Sequence, residues 1–294
     1  MAQRMVIFGG TGFVGRYVAR AALGAGWDAR VASRSGSPIE GAEGIACNIT
    51  SDADVAKAMA DCHAAVNCVG ILAPRGQNTF ENLQAQGAER IARIAAELSL
   101  ANMVHISAIG ADPSSPSVYQ RTKAAGEAGV LRHMRNALIL RPSIVFGPED
   151  SFFNRFADMS KLSPFVPVVG ASTRFQPVYV GDVAAAVIAG LDQGKSGIHE
   201  LGGPEVETFS ALMERMLGVL GRKRLVLPLP SSVGMLMGTS FEILAKVTGI
   251  EPQITRDQVK NLGADNVVST EYPGLAELGV MPTPMAEILP SYLK

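Results

Sequence analysis

The chain has 294 residues, enough for one large α/β domain or a domain with a smaller lobe, and 47% of them are hydrophobic against 18% charged, which excludes a disordered chain. Its formal net charge of −1, from 26 Lys+Arg against 27 Asp+Glu, lacks the basic excess of a nucleic-acid binder. The odd cysteine set Cys47, Cys62 and Cys68 excludes a disulfide framework, and His63, His105, His133 and His199 share no metal-ligand spacing, so no metal is expected.

Residues 4–9 read as a buried strand and 12–25 as a helix. Residues 28–33 (DARVAS) read as a second strand, 44–47 as a third, 52–62 as a helix and 64–70 as a fourth strand. From 80 to 98 the apolar set Phe80, Leu83, Ala88, Ile91, Ile94 and Leu98 has helical spacing. Residues 102–107 and 136–140 read as further strands around a helix at about 116–134. Such alternation predicts an α/β fold, a doubly wound parallel sheet covered by helices on both faces.

The texture changes after residue 148. Prolines stand at 148, 164, 167 and 177, and Phe152, Phe153, Phe156 and Phe165 cluster with Val166 and Val168. This predicts loops and short helices over the C-terminal edge of the sheet, then a mostly helical last third. Residues 1–148 are expected to be the nucleotide-binding core. Residues 149–294 are expected to form a smaller lobe that faces a substrate or partner and is interleaved with the last core strands at about 175–201. The aromatics supply either an apolar wall, with Arg141, Arg155 and Arg174 as the nearby cations, or the lobe's own core. In 231–247, Val233, Leu236, Met237, Ser240, Ile243, Leu244 and Val247 recur at helical spacing beside the basic stretch 221–224 (GRKR). That helix either packs on its own lobe or lays 221–247 against a membrane surface or a partner. The first strand begins about four residues after Met1, so no signal or transit peptide is expected.

Between the first strand and helix stand Gly9, Gly12 and Gly15. Glycines here permit a tight turn and let backbone N–H groups approach a pyrophosphate at a helix N-terminus. NAD-binding folds usually place an acid at the end of the second strand for the ribose hydroxyls. This chain has Ser33, Arg34 and Ser35 there. An arginine pairs with a 2′-phosphate that an acid would repel, so NADP(H) is expected over NAD(H), with Arg16 assisting. Asn48 and Ile49 fall where an adenine ring would lie, and Asn67 and Gly70 fall near the central phosphates and ribose. Tyr119 and Lys123 stand four apart on one helix face. A lysine ammonium beside a phenol lowers the phenol's pKa and suits it to proton transfer.

With these landmarks, the stretches 140–148 (LRPSIVFGP) and 175–187 (FQPVYVGDVAAAV) make the chain resemble an extended or atypical short-chain dehydrogenase/reductase of Rossmann type, to about residue 260. Within that superfamily, 140–157, 105–112 (HISAIGAD) and 119–127 (YQRTKAAGE) resemble the Rossmann-type accessory subunit of respiratory complex I, the NADH dehydrogenase 1 alpha subcomplex subunit 9-like family. The resemblance implies a cofactor set that adds Thr11, Phe13, Val14, Pro142 and Ile144 to the residues above. It implies a tightly held NADP(H), other complex I subunits as partners, and a place at the junction of the complex's two arms. With no transit peptide expected, that place is peripheral, on the cytoplasmic face of a bacterial inner membrane. The superfamily's active members add a hydroxyl after the fifth strand, here Ser107, to Tyr119 and Lys123. The next positions are Ala108 and Ile109 where sugar-modifying members carry further serines. A non-catalytic subunit with a structural nucleotide and an active oxidoreductase or epimerase both remain open at this point, as does a nucleotide-sensing regulator.

Overall fold

The computed structural model describes residues 3–248 and 252–294. The first half runs β1 (Arg4–Phe8), α1 (Phe13–Gly24), β2 (Asp28–Ser33), β3 (Glu43–Ala46), α2 (Asp52–Met59), β4 (Ala64–Asn67), α3 (Gln86–Glu97), β5 (Asn102–Ile106), α4 (Val118–His133) and β6 (Leu138–Pro142). It continues through β7 (Val145–Phe146), α5 (Phe153–Leu162), β8 (Phe165–Val169), β9 (Arg174–Phe175), β10 (Val178–Tyr179), α6 (Val180–Asp192) and β11 (Gly197–Leu201). The remainder is β12 (Glu207–Thr208), α7 (Phe209–Val219), β13 (Leu225–Leu229), α8 (Ser231–Thr248), α9 (Arg256–Asn261) and α10 (Met285–Tyr292).

Seven strands form one sheet in the order β11-β6-β5-β4-β1-β2-β3, each neighbour parallel. β1 is central and has no exposed face. Met5 and Ile7 join the apolar layer beneath α1 and α6, while Val6 and Phe8 join the layer beneath α2, α3 and α4. A strand buried on both faces reads as a continuous apolar run, as this one does. The strand order reverses between β1 and β4, and the crevice at their C-terminal ends is where such sheets receive ligands.

The expected elements differ from the observed ones mostly at their ends. The helix from Asp52 stops at Met59, and Asp61 then takes a left-handed conformation (φ 60°). The helix expected from residue 80 opens with a π-turn over Glu81–Ala85 before α3. The lobe departs further from expectation, because it carries paired strands. β8 pairs in parallel with β13, β7 with β10, and β9 pairs antiparallel with β12. Pro167 and Pro228 lie inside two of these strands, which a two-stranded sheet tolerates because each strand is an edge. The expected apolar wall is largely the lobe's core: Phe153, Val166 and Val168 are fully buried, and Phe152, Phe156, Phe175 and Phe209 stack among themselves. Phe165 is the exception, 47% exposed.

α8 also departs from a simple packed helix. It docks through glycines: a Cβ on Gly234 would stand 2.7 Å from Val169 Cγ1, and one on Gly238 2.8 Å from the Arg256 nitrogen. The apolar stripe faces outward instead, with Leu236 70%, Ile243 60% and Val247 81% exposed. Two of the three cations beside it turn inward. Arg222 donates to the Ala157 carbonyl (2.7 Å) and Arg224 to the Ser160 carbonyl (2.9 Å). Among the described residues no helix is long and apolar enough to cross a membrane.

Candidate nucleotide site

The chain leaves β1 through Gly9 in the left-handed region (φ 74°). A Cβ on Gly15 would stand 2.3 Å from the Gly9 carbonyl oxygen, so only glycine lets the first turn of α1 close onto the loop. Gly12 is the N-cap of α1. It supplies no capping side chain, and the first turn holds no acid. The N–H groups of Phe13, Val14 and Gly15 therefore point from an uncapped, electropositive helix start, which is the environment an anion needs. Arg16, expected to assist at the 2′-phosphate, instead braces the loop. It donates to the Thr11 carbonyl (3.0 Å) and pairs with Glu149 (3.0 Å).

At the end of β2, the Ser33, Ser35 and Ser37 hydroxyls form a chain at 3.3 and 2.8 Å, and the Gly36 N–H donates to Ser33 Oγ (3.2 Å). Arg34 is exposed beside them and has no partner among the described residues. After β3 the two expected adenine contacts diverge. Ile49 turns into the core against Gly87, while Asn48 stays exposed and its Oδ1 accepts from the Thr50 N–H (3.1 Å).

Asn67 ends β4 fully buried. Its Oδ1 accepts from the Val69 N–H (3.0 Å), which turns its Nδ2 to donate to His105 Nδ1 (3.1 Å). The His105 proton then sits on Nε2, a buried atom with no partner. Burial, with a smaller push from Lys123, holds the imidazole near 3 and therefore neutral. Gly70 is exposed, and a Cβ there would come within 3.7 Å of Lys123 Nζ. The crevice between β1 and β4 thus opens onto the lysine. Pro142 and Ile144 hold the far side through their carbonyls, which accept from Ile109 (3.1 Å) and Val178 (2.9 Å).

Tyr119 and Lys123 lie on successive turns of α4. Lys123 Nζ donates to the Ile106 carbonyl (3.0 Å), and burial brings its pKa down to about 8. Tyr119 packs edge-on against Phe80 at 5.7 Å, and burial pushes its phenol up to about 12. The expected lowering of the phenol by Lys123 is therefore overturned, because loss of hydration dominates both groups. Ser107, the hydroxyl expected to join Tyr119 and Lys123, is engaged elsewhere. Its hydroxyl donates to Glu127, whose carboxylate also accepts two bonds from Arg141 (2.9 and 2.6 Å). Burial alone would lower the Arg141 pKa, but Glu127 holds it above its ordinary value.

The segment after α8 closes the other side of the site. Asp257 on α9 accepts from Ser117 Oγ (2.7 Å) and from the N–H groups of Val118 (2.8 Å) and Tyr119 (3.0 Å). Asn266 receives the Ser143 hydroxyl (2.7 Å), Glu200 receives the Ser269 N–H (2.7 Å), and Tyr272 lies over the Arg141 guanidinium (5.0 Å). Beside Tyr119 lies a small cavity of about 40 Å³, lined by Leu72, Tyr119, Asp257, Gln258 and Asn261, and on the other side of Asp257 a larger one of about 280 Å³, lined by Val118, Met235, Glu242, Arg256, Asp257 and Lys260. Sequence reasoning missed Glu127, although its spacing, eight after Tyr119, puts a carboxylate on the same helix face. Asp257, Asn266 and Glu200 carry no local signal.

Residues 5–202 match the NAD dependent epimerase/dehydratase family. The chain belongs to that family. Its members share the nicotinamide-nucleotide fold seen here. Within it, this chain is 32% identical to the Arabidopsis thaliana protein "NADH dehydrogenase (ubiquinone) 1 alpha subcomplex subunit 9, mitochondrial", over 94% of this chain and 73% of the relative. It is 31% identical to the Mus musculus protein of the same name, over 95% and 76%. The crystal structure of gox2253 shares the fold of this chain at a TM-score of 0.76, with 23% identity over 99% of this chain and 96% of that one.

Proposed function

We propose that this chain is an accessory subunit of respiratory complex I that holds NADP(H) as a structural nucleotide. The carrying observation is the contrast between the two sides of the site. The phosphate cradle is complete: the Gly9 turn, the Gly15 close approach, the uncapped start of α1 and the lysine beside Gly70 all fit a dinucleotide. On the substrate side the chain's own residues 257–272 contact the start of α4, Ser143 and Glu200, and Ser107 is turned to Glu127. NADP(H) is favoured over NAD(H) because Arg34 stands exposed where an acid would otherwise hold the ribose hydroxyls. When bound, the nicotinamide supplies a hydride carrier. Lys123 would hold the ribose, and the backbone N–H groups of α1 the pyrophosphate.

In this reading residues 1–148 hold the nucleotide and 149–294 face the complex. The outward stripe of α8 is the surface set against the membrane at the cytoplasmic face of a bacterial inner membrane. The inward-turned Arg222 and Arg224 leave Lys223 as the exposed cation of that basic stretch beside this apolar contact. The alternative, an active oxidoreductase or epimerase, draws on Tyr119 and Lys123 sharing one face; it requires the segment around Asp257 to move away. The deciding experiment is a native gel of mildly solubilised membranes, with this chain traced by mass spectrometry. Co-migration with NADH:quinone oxidoreductase activity is expected. Migration at monomer or dimer size would leave the enzyme reading standing.

A further inference from the structure

Asp257 reaches the nucleotide site from α9, more than a hundred residues away in sequence from the helix it touches. Its carboxylate takes three donors from the first turn of α4: the Ser117 hydroxyl and two backbone N–H groups, one of them that of Tyr119. That turn leads directly to Lys123. Two further bonds from α9 fix its position over the crevice. Gln258 Nε2 donates to the Leu72 carbonyl (3.3 Å), just beyond Gly70, and Lys260 Nζ to the Pro116 carbonyl (3.3 Å), just before α4. α9 therefore bridges the β4 loop and the start of α4, the two walls between which Lys123 lies.

The same helix is joined firmly to α8. Glu242 accepts from the Arg256 N–H (2.8 Å) and from its guanidinium (2.9 Å), and Gly238 lets the two backbones meet. A path of direct contacts thus runs from Lys123 through the α4 cap to α9 and α8, whose far face is the exposed apolar stripe.

We infer that Asp257 is a positioning residue for the nucleotide site, and that through it nucleotide occupancy and the order of α8–α9 are coupled. The inference rests on the chain binding NADP(H). A nucleotide drawn to Lys123 and the β4 loop favours the arrangement in which both walls are fixed, and α9 fixes both, Asp257 holding the start of α4 and its neighbour Gln258 the β4 loop. By linkage, loss of the cap weakens the nucleotide by the same factor by which the nucleotide would have ordered α8–α9. A lone carboxylate at a helix start would only stabilise α4; here the residue next to it, Gln258, ties the same helix to Leu72, so the cap also sets where α9 meets the β4 loop.

The test is hydrogen exchange on the full chain with and without NADPH, together with NADPH titration. In the wild type, NADPH is expected to slow exchange in 256–261 and 231–248. Asp257→Ala is expected to abolish that protection and weaken NADPH by about tenfold, the scale of a lost charged cap. Asp257→Asn, which retains an acceptor oxygen, recovers part of the affinity. Arg256→Ala removes the guanidinium bond to Glu242 and keeps the backbone one; it is expected to keep NADPH-dependent protection on α9 and reduce it on α8. If Asp257→Ala loosens the whole sheet, Asp257→Asn and Arg256→Ala decide the matter. Exchange in α8–α9 that is indifferent to bound NADPH overturns the inference, as does wild-type affinity in Asp257→Ala. A wild type that binds neither NADPH nor NADH overturns the nucleotide reading itself, and this inference with it.

Discussion

Replacing Lys123 by Met removes the ammonium and keeps most of the stem. Burial brings the lysine's pKa from 10.5 to about 8, so holding the charge in place costs about 3 kcal/mol, at about 1.4 kcal/mol per pH unit. The variant loses the bond to the Ile106 carbonyl, worth about 1 kcal/mol. Without nucleotide, at about pH 7, Lys123→Met should therefore be more stable than the wild type by about 2 kcal/mol. That corresponds to a rise of roughly 5 °C in Tm for a chain of this size. The pH dependence follows from the same shift. Below about 8 the lysine is charged in both folded and unfolded states, and the penalty is complete. Between about 8 and 10.5 the unfolded state binds more protons, so wild-type stability rises with pH. The gap between variant and wild type should close across that window. Urea unfolding at several pH values measures it. A variant less stable than the wild type at about pH 7, or a gap that stays constant to about pH 10.5, refutes the reasoning. Adding NADPH should reverse the order, because the variant binds it poorly.

Arg34→Ala should weaken NADPH by about tenfold and NADH hardly at all, since one exposed charge-assisted pair is lost from one ligand only; equal losses in a fluorescence titration would remove the 2′-phosphate assignment. Glu127→Ala leaves the buried Arg141 guanidinium without its two-point partner and should cost about 3–5 kcal/mol in chemical unfolding. Leu236→Asp with Ile243→Asp should leave Tm within about 1 °C, because both side chains face solvent. The same pair should release the chain from solubilised complex or from membranes in a flotation assay.

The sheet was legible because parallel strands covered on both faces leave unbroken apolar runs, as in Met5 to Phe8. The loop was legible because Gly9 and Gly15 answer local demands, one for a left-handed turn and one for close approach. Tyr119 and Lys123 were legible through helical spacing. What could not be read was the use each polar group would find. Ser107 was available as a hydroxyl, but its orientation depends on Glu127 and Arg141 meeting across α4 and β6. Asp257 and Asn266 act at distances in sequence where no periodicity reaches. β8 and β13 escaped notice because Pro167 and Pro228 speak against strands, and only their pairing at a free edge makes them permissible. The α8 stripe was read correctly as apolar, but the side that buries is the glycine side.

The contacts between Asp257 and the start of α4 join residues 138 to 140 positions apart. Contacts of that separation form late, since a long loop must close before they return anything. During synthesis the glycine loop, Tyr119 and Lys123 all leave the ribosome well before the residue that caps their helix. If the inferred coupling holds, an early Rossmann core has its phosphate cradle but an unfinished α4, and it would bind nucleotide at full strength only once the last fifth of the chain has folded back. On that inference, retention of the nucleotide would report that the chain has finished folding.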